Sequence, residues 1–296
     1  MLLGSYTEGD QYHYIKFYNA LKNAELSSLL QLMKGYLNAG EPLSGFVLWL
    51  GANANIDKII YISFLNSIFA VGLYLLCAKH DAKWYFILLL YFNFYIIVLF
   101  TGAERLKISI LLLTYGLLIR NAIGNILSLS SCVAHFQSSI VIFSMLFEYC
   151  IKASLSIFKS LTFKGKDLAF IIISLIVGGA LLTVFGKSII GKISGYSELS
   201  RGIVELTQLI SLCFLAFFVL KNRFEFYCYM LPVMLISFVV GSSRINILAF
   251  LIFSFFVLVQ KKTNHPIVIA LMSYFVFKGY LFIENIFVYG NGFYIK

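Results

Sequence analysis

Apolar residues in this chain gather in long runs separated by short polar punctuation. The runs are too uniformly apolar for the one-faced helices of a soluble domain. About 17–20 such residues, wound as a helix, cross about 30 Å of hydrocarbon. Runs of this kind fall near 59–77, 84–100, 168–185, 203–220, 224–240, 244–259 and 267–283. The region 106–151 breaks the pattern. It opens with Leu106–Ile119, passes Arg120 and Asn121, and continues through a stretch spotted with Gly124, Ser128, Ser130 and Ser131 before closing with Phe136–Ile151. It is too long for two spans and too short for three full ones. We read it as three segments, the middle one (121–134) short and broken. Irregular backbone at membrane depth survives only where protein buries it or it lines a wet cavity, so this region is where function is expected.

Ahead of the first long run, Met1–Gly40 is polar and mixed, with no signal-peptide pattern. Within it Ala24–Leu37 is weakly amphipathic through Leu26, Leu29, Leu30, Met33 and Leu37, which suits a helix lying along the interface. Leu43–Gly51 is too short to cross. The expected organisation is an extracytoplasmic segment, 1–58, with interfacial helices, followed by a transmembrane helical domain, 59–296. The fold class is all-α: a polytopic transmembrane helical bundle of about nine to ten membrane segments.

Composition agrees. Of 296 residues, 60% are hydrophobic and only 12% charged, and the mean hydropathy is +0.90. Soluble domains carry about 25% charged residues, so a water-soluble globule is excluded. The net charge of +10 reads as orientation rather than as affinity for nucleic acid, because basic residues collect in cytoplasmic loops. Lys79 and Lys83, Lys152 to Lys166, Lys221 and Arg223, and Lys261 and Lys262 fall in loops separated by pairs of spans. All are assigned to the cytoplasm, where Lys and Arg are more than twice as dense per residue as on the other side. Residues 1–58, 101–107, 186–202 and 241–244 then gather outside. A preceding span is expected to deliver residue 1 there. The five cysteines are dispersed, and the sequence contains no metal-ligand spacing or glycine-rich phosphate loop. No metal or other cofactor is expected.

Charge in or beside a span is costly and needs a partner or a purpose. Arg105, His135 and Arg244 all reach the outer end of the bundle in this topology. Guanidinium suits an anionic ligand, since it forks two hydrogen bonds onto phosphate oxygens and keeps its charge. Taken singly, an arginine at a helix end more often snorkels to headgroups; it is the convergence that singles these three out. Asp10, Tyr14 and Glu41 cluster in the outer N-terminal segment, where aromatic faces and carboxylates suit sugar hydroxyls. Glu104 adjoins Arg105, and the loop 186–202 adds Tyr196 and Arg201.

These residues form an ordered set: D-x-x-x-Y (Asp10, Tyr14), Glu41-Pro42, an Arg opening a middle span (Arg105), A-H-F-x-S (Ala134 to Ser138), K-I-x-x-Y (Lys192, Ile193, Tyr196) and Arg244-Ile245-Asn246. The set resembles the EpsG-like branch of the Wzy-type polysaccharide polymerases, over about residues 5 to 260. Members of that family usually open with a transmembrane helix before the D-x-x-x-Y loop. The resemblance implies a glycosyltransferase-C-like bundle in the bacterial inner membrane, with its site facing the periplasm. Such a protein is a metal-independent glycosyltransferase that joins undecaprenyl-diphosphate-linked repeat units into O-antigen or a similar surface polysaccharide. Its partners would be lipid-linked oligosaccharide donor and acceptor, membrane lipid and a chain-length regulator. Arg105 and Arg244 would stabilise the diphosphate leaving group. The acceptor hydroxyl needs a base, for which His135 competes with Asp10, Glu41 and Glu104, while Tyr14, Tyr196 and Arg201 would contact substrate. A transporter of the same lipid-linked oligosaccharide, a membrane glycan acyltransferase and a non-enzymatic scaffold are the competing readings.

Overall fold

The structure is a computed structural model, and it describes residues 2–119, 121–160, 202–240 and 245–294. The N-terminal part forms α1 (Leu2–Ser5), α2 (Asp10–Ala20), α3 (Leu29–Leu37, entered through a 3-10 turn at Leu26–Ser28) and α4 (Pro42–Asn53). The apolar runs form α5 (Lys58–Lys79), α6 (Trp84–Tyr91), α7 (Phe94–Thr101), α8 (Glu104–Leu118), α9 (Ala122–Ala134) and α10 (Ser138–Ser160). Beyond these lie α11 (Gly202–Val219), α12 (Arg223–Val240), α13 (Ile245–Val259) and α14 (Pro266–Tyr289). Every regular element among the described residues is helical.

Among the described residues three helices are long and apolar enough to cross a membrane: α5, α10 over Ser138–Leu155, and α14. The pair α6 and α7 makes a fourth if taken as one span, although it is bent by 53°. Helix α9, helix α13 and the Leu206–Val219 part of α11 are apolar but shorter. At 1.5 Å per residue a helix of about 13–15 residues covers only about 20–23 Å. The described residues therefore hold three or four qualifying spans where about nine to ten segments were expected, and the run 168–185 lies outside them.

Packing divides the chain into two units, Met1–Ser139 with Lys261–Lys296, and Ile140–Gln260. In the first, residues 1–58 are built into the bundle. Tyr14, Phe17, Tyr18, Met33 and Leu48 share one buried cluster with Ile62, Leu65 and Ile108. Of its apolar stripe, α3 buries Leu29 and Met33 in this cluster but leaves Leu30 exposed. Asp57 starts α5 by accepting hydrogen bonds from the Ile59 and Ile60 amides, at 2.8 and 3.3 Å, an N-cap that satisfies otherwise orphaned donors.

Helices α5 and α8 run side by side in the same direction. Lys58 meets Glu104, Asn66 meets Lys107, and the Tyr115 hydroxyl reaches the Ile68 carbonyl. Lys79 donates to the Leu117 and Leu118 carbonyls at 3.1 and 3.0 Å, where a cation also complements the helix dipole. A parallel pair needs a return between its members, and α6 and α7 supply it. The run 84–100 reads as one apolar segment but breaks at Phe92–Asn93. Buried Asn93 caps α7 through the Tyr95 amide, at 3.0 Å. Gly279 of α14 packs so tightly on the break that a Cβ there would lie 2.7 Å from the Phe92 carbonyl oxygen.

The segment 121–134 is short, as its sequence suggests, but it is a regular helix rather than broken backbone. The breaks lie on either side of it. Asn121 caps α9, accepting from Ile123 and Gly124 at 3.0 and 3.1 Å. The small residues then let α9 fold back against α8, as at membrane helix interfaces generally. A Cβ on Gly116 would sit 2.2 Å from the Ser128 hydroxyl, and one on Gly124 would sit 2.0 Å from the Ile119 carbonyl oxygen. In the second unit, α11, α12 and α13 pack together through Phe226 against Phe253 and Phe256 and through an Asn246–Gln208 hydrogen bond of 3.2 Å.

Because the Gly124 neighbour is backbone, it cannot swing aside. Gly124→Val is expected to destabilise the α8–α9 hairpin by about 2–3 kcal/mol, in the range of overpacked interiors, while Ser130→Ala on the same helix changes little. Thermal unfolding of the detergent-solubilised chain distinguishes the two.

Candidate functional site

The turn between α9 and α10 brings His135 back to the start of α8. Ser109, one helical turn below Arg105, donates to the Ser131 carbonyl at 2.6 Å and accepts from the Ser138 hydroxyl at 2.5 Å. These bonds clamp both ends of the turn. His135 is extended at the C-terminus of α9, and Ser138 bonds back to its carbonyl at 3.0 Å.

Glu41 meets both groups. One carboxylate oxygen lies 2.6 Å from Arg105 Nη1 and the other 3.1 Å from His135 Nδ1. Arg105 Nε donates to the Tyr14 hydroxyl at 3.1 Å. Glu41, Tyr14 and His135 are buried, and the Arg105 side chain is 11% exposed. Burial pushes the Tyr14 phenol up from its ordinary value, with Arg105 pulling the other way, so it serves as a neutral acceptor and positioner. The Glu41 side chain occupies the N-cap position of α4 yet makes no capping hydrogen bond there. Its carboxylate is turned into the site instead, and Pro42 at the first helical position limits the cost because it has no amide hydrogen to satisfy.

Gln137 adds a further contact, its Oε1 3.3 Å from His135 Nε2. With Nδ1–H donating to Glu41, this leaves two consistent states. Either the imidazole is a cation donating on both sides, or the Gln137 amide is turned so that its NH₂ donates to a neutral Nε2. The two differ by one proton on His135 Nε2, the atom a general base must use. Arg105 has five N–H donors, of which Nε and Nη1 are engaged here and Nη2 makes no hydrogen bond among the described residues. The arrangement can therefore offer a fixed cation to an anion beside a carboxylate-oriented imidazole.

Of the residues anticipated from sequence, Arg105, His135, Glu41 and Tyr14 come together directly. Asp10 begins α2 one turn from Tyr14, at the exposed rim and within electrostatic reach of that hydroxyl. Glu104 points the other way, to Lys58 at 2.9 Å and to Gln11 at 3.0 Å. Arg244, Tyr196 and Arg201 lie outside the described residues. Sequence reasoning passed over Gln137, Gln11, Lys58, Asn66 and Lys107. A signal was present for one of them: Lys58 is opposite in charge to Glu104, and the two head adjacent runs of the same direction. No metal-binding group of His, Cys, Asp and Glu occurs among the described residues. No protein-family model, curated protein or solved structure matches the chain.

Removing one partner of a buried ion pair strands the other as an uncompensated charge, at a cost of about 3–5 kcal/mol. Glu41→Ala is therefore expected to lower stability by about 3 kcal/mol, with Glu41→Leu/Arg105→Met recovering at least half of the loss. Unfolding of the detergent-solubilised variants measures both, and a double variant as unstable as the sum of the singles would show that the pair is not coupled.

Proposed function

We propose that the chain is a metal-independent membrane glycosyltransferase that polymerises lipid-diphosphate-linked oligosaccharide repeat units, working at the periplasmic face of the bacterial inner membrane. The observation that carries this reading is the Glu41 carboxylate shared between Arg105 and His135 in one buried site. In the reaction the acceptor hydroxyl oxygen bonds to the anomeric carbon of the donor while the bond from that carbon to the diphosphate oxygen breaks. The hydroxyl proton passes to His135 Nε2, and the electron pair leaves with the diphosphate. Arg105 offers its unengaged Nη2 to that growing negative charge, a preorganised electrostatic role. Glu41 holds the imidazole by Nδ1 and stabilises the cation formed when Nε2 takes the proton, as a carboxylate does for catalytic histidines elsewhere. Arg244 is proposed as a second cation on the leaving group, with Asp10, Tyr14, Tyr196 and Arg201 on the sugars. Helices carry the lipid-borne substrate in the bilayer, which accounts for the scarcity of soluble mass. A chain-length regulator is the expected protein partner, and the helical bundle is proposed to be of the glycosyltransferase-C kind.

The test is glycan length in a deletion strain complemented with the chain. Arg105→Ala and His135→Ala, at wild-type membrane levels, should leave glycans one repeat unit long, with polymer formation reduced by about 10²-fold or more for loss of the base. Long chains from both variants would refute the assignment. Accumulation of lipid-linked units in the cytoplasmic leaflet would point instead to a transporter.

A further inference from the structure

The face of α8 that bears Glu104 and Lys107 takes no part in the chemistry above. It holds two ammonium groups, Lys58 and Lys107, against one carboxylate, Glu104. Lys107 is fully buried. Among the described residues its ammonium has one hydrogen bond, to Asn66 Oδ1 at 2.7 Å, and no carboxylate within 4.0 Å. Glu104 keeps one buried oxygen, Oε2, without a hydrogen-bond partner. A buried ammonium with a single partner is costly, and an anion on the far side of Asn66 would relieve it.

That far side is open. Asn66 lines a cleft of about 430 Å³ beside α1 and α5, within the about 300–1,000 Å³ typical of ligand sites. Ser63 and Asn66 present polar groups at i and i+3 on one face of α5, while the Ser67 hydroxyl beside them donates to the Ser63 carbonyl at 3.0 Å and that of buried Thr101 to the Ile97 carbonyl at 2.8 Å. The Asn66 amide donates to the Phe100 carbonyl at 2.9 Å, which leaves its second hydrogen for a ligand. Leu2, Leu3 and Ile59 form an apolar wall. Beyond the cleft α5 exposes Phe64, Val71 and Tyr74, the side chains of a lipid-facing surface.

We infer that this cleft is a binding site for an anionic phospholipid of the surrounding bilayer. Phosphate oxygens accept hydrogen bonds from Ser63 and Asn66, the first methylenes lie along Leu2, Leu3 and Ile59, and Lys107 supplies the counter-charge from behind Asn66. The cleft wall backs onto the Glu104–Lys107 face of α8, whereas Arg105 points to Glu41 and Tyr14. A lipid seated here is therefore ancillary to the reaction and stabilises the first turns of α5 and α8. The inference stands independently of the proposed polymerase activity.

The full chain, solubilised in dodecyl maltoside and stripped of lipid, is titrated with dioleoyl-phosphatidylglycerol, dioleoyl-phosphatidylethanolamine or a polyisoprenyl phosphate while its thermal midpoint is followed. Phosphatidylglycerol should raise the midpoint saturably, at a concentration about tenfold lower than phosphatidylethanolamine, a difference of about 1.4 kcal/mol. Ser67→Trp, which fills the cleft from its exposed rim, should abolish that difference without lowering the lipid-free midpoint. Lys107→Gln should remove the preference for the anionic headgroup. Equal responses to the two phospholipids, an undiminished preference in Ser67→Trp, or stronger binding of the polyisoprenyl phosphate than of phosphatidylglycerol would each overturn the inference.

Discussion

One carboxylate holds one end of the first unit together. Glu41 stands at the head of α4, Arg105 at the head of α8 and His135 in the turn after α9, and the three meet only because each would otherwise be a buried group without compensation. In a chain with so few charges, such a pairing is a strong constraint. Removing any member strands the others in a medium that cannot solvate them. Arg105 also reaches the Tyr14 hydroxyl, so α2, α4, α8 and the α9–α10 turn are tied at one point. Phe17, Met33, Leu48 and Ile108 pack in one buried cluster with Tyr14 beside it.

The first two turns of α8 divide two tasks by helical geometry. At about 100° per residue, Arg105 and Ser109 lie on one face, about 40° apart, and Glu104 and Lys107 on another, about 60° apart. The first face faces Glu41 and the clamped turn carrying His135. The second faces α5, where Lys58 and Asn66 receive it. Oppositely directed, these contacts fix the rotation of α8 about its own axis, and Lys79 at its far end fixes its height. A helix held in this way presents its guanidinium in one fixed orientation.

Much of this was legible in the residues. The run 59–77 became α5, the odd region 106–151 became three helices, and two of the charges singled out from the residues, Arg105 and His135, meet at Glu41. D-x-x-x-Y and Glu-Pro pointed to Tyr14 and Glu41. The bend at Asn93 was not legible, because hydropathy registers the run and not the close approach of Gly279 to its middle. Nor was the role of Glu104, since its neighbour in sequence, Arg105, projects about 100° away round the helix and meets different partners.

Taken alone, the amino-acid sequence determined the solvent of this protein and the order of its segments, because transfer free energies are local and additive along a run. It also singled out the polar residues that needed an explanation, since a charge beside hydrocarbon is expensive wherever the chain goes. Which of those residues share a site was decided by tertiary structure alone. Glu41 and His135 are 94 positions apart, and only the glycine-mediated return of α9 along α8, with the clamp at Ser109, sets their carboxylate and imidazole within hydrogen-bonding distance.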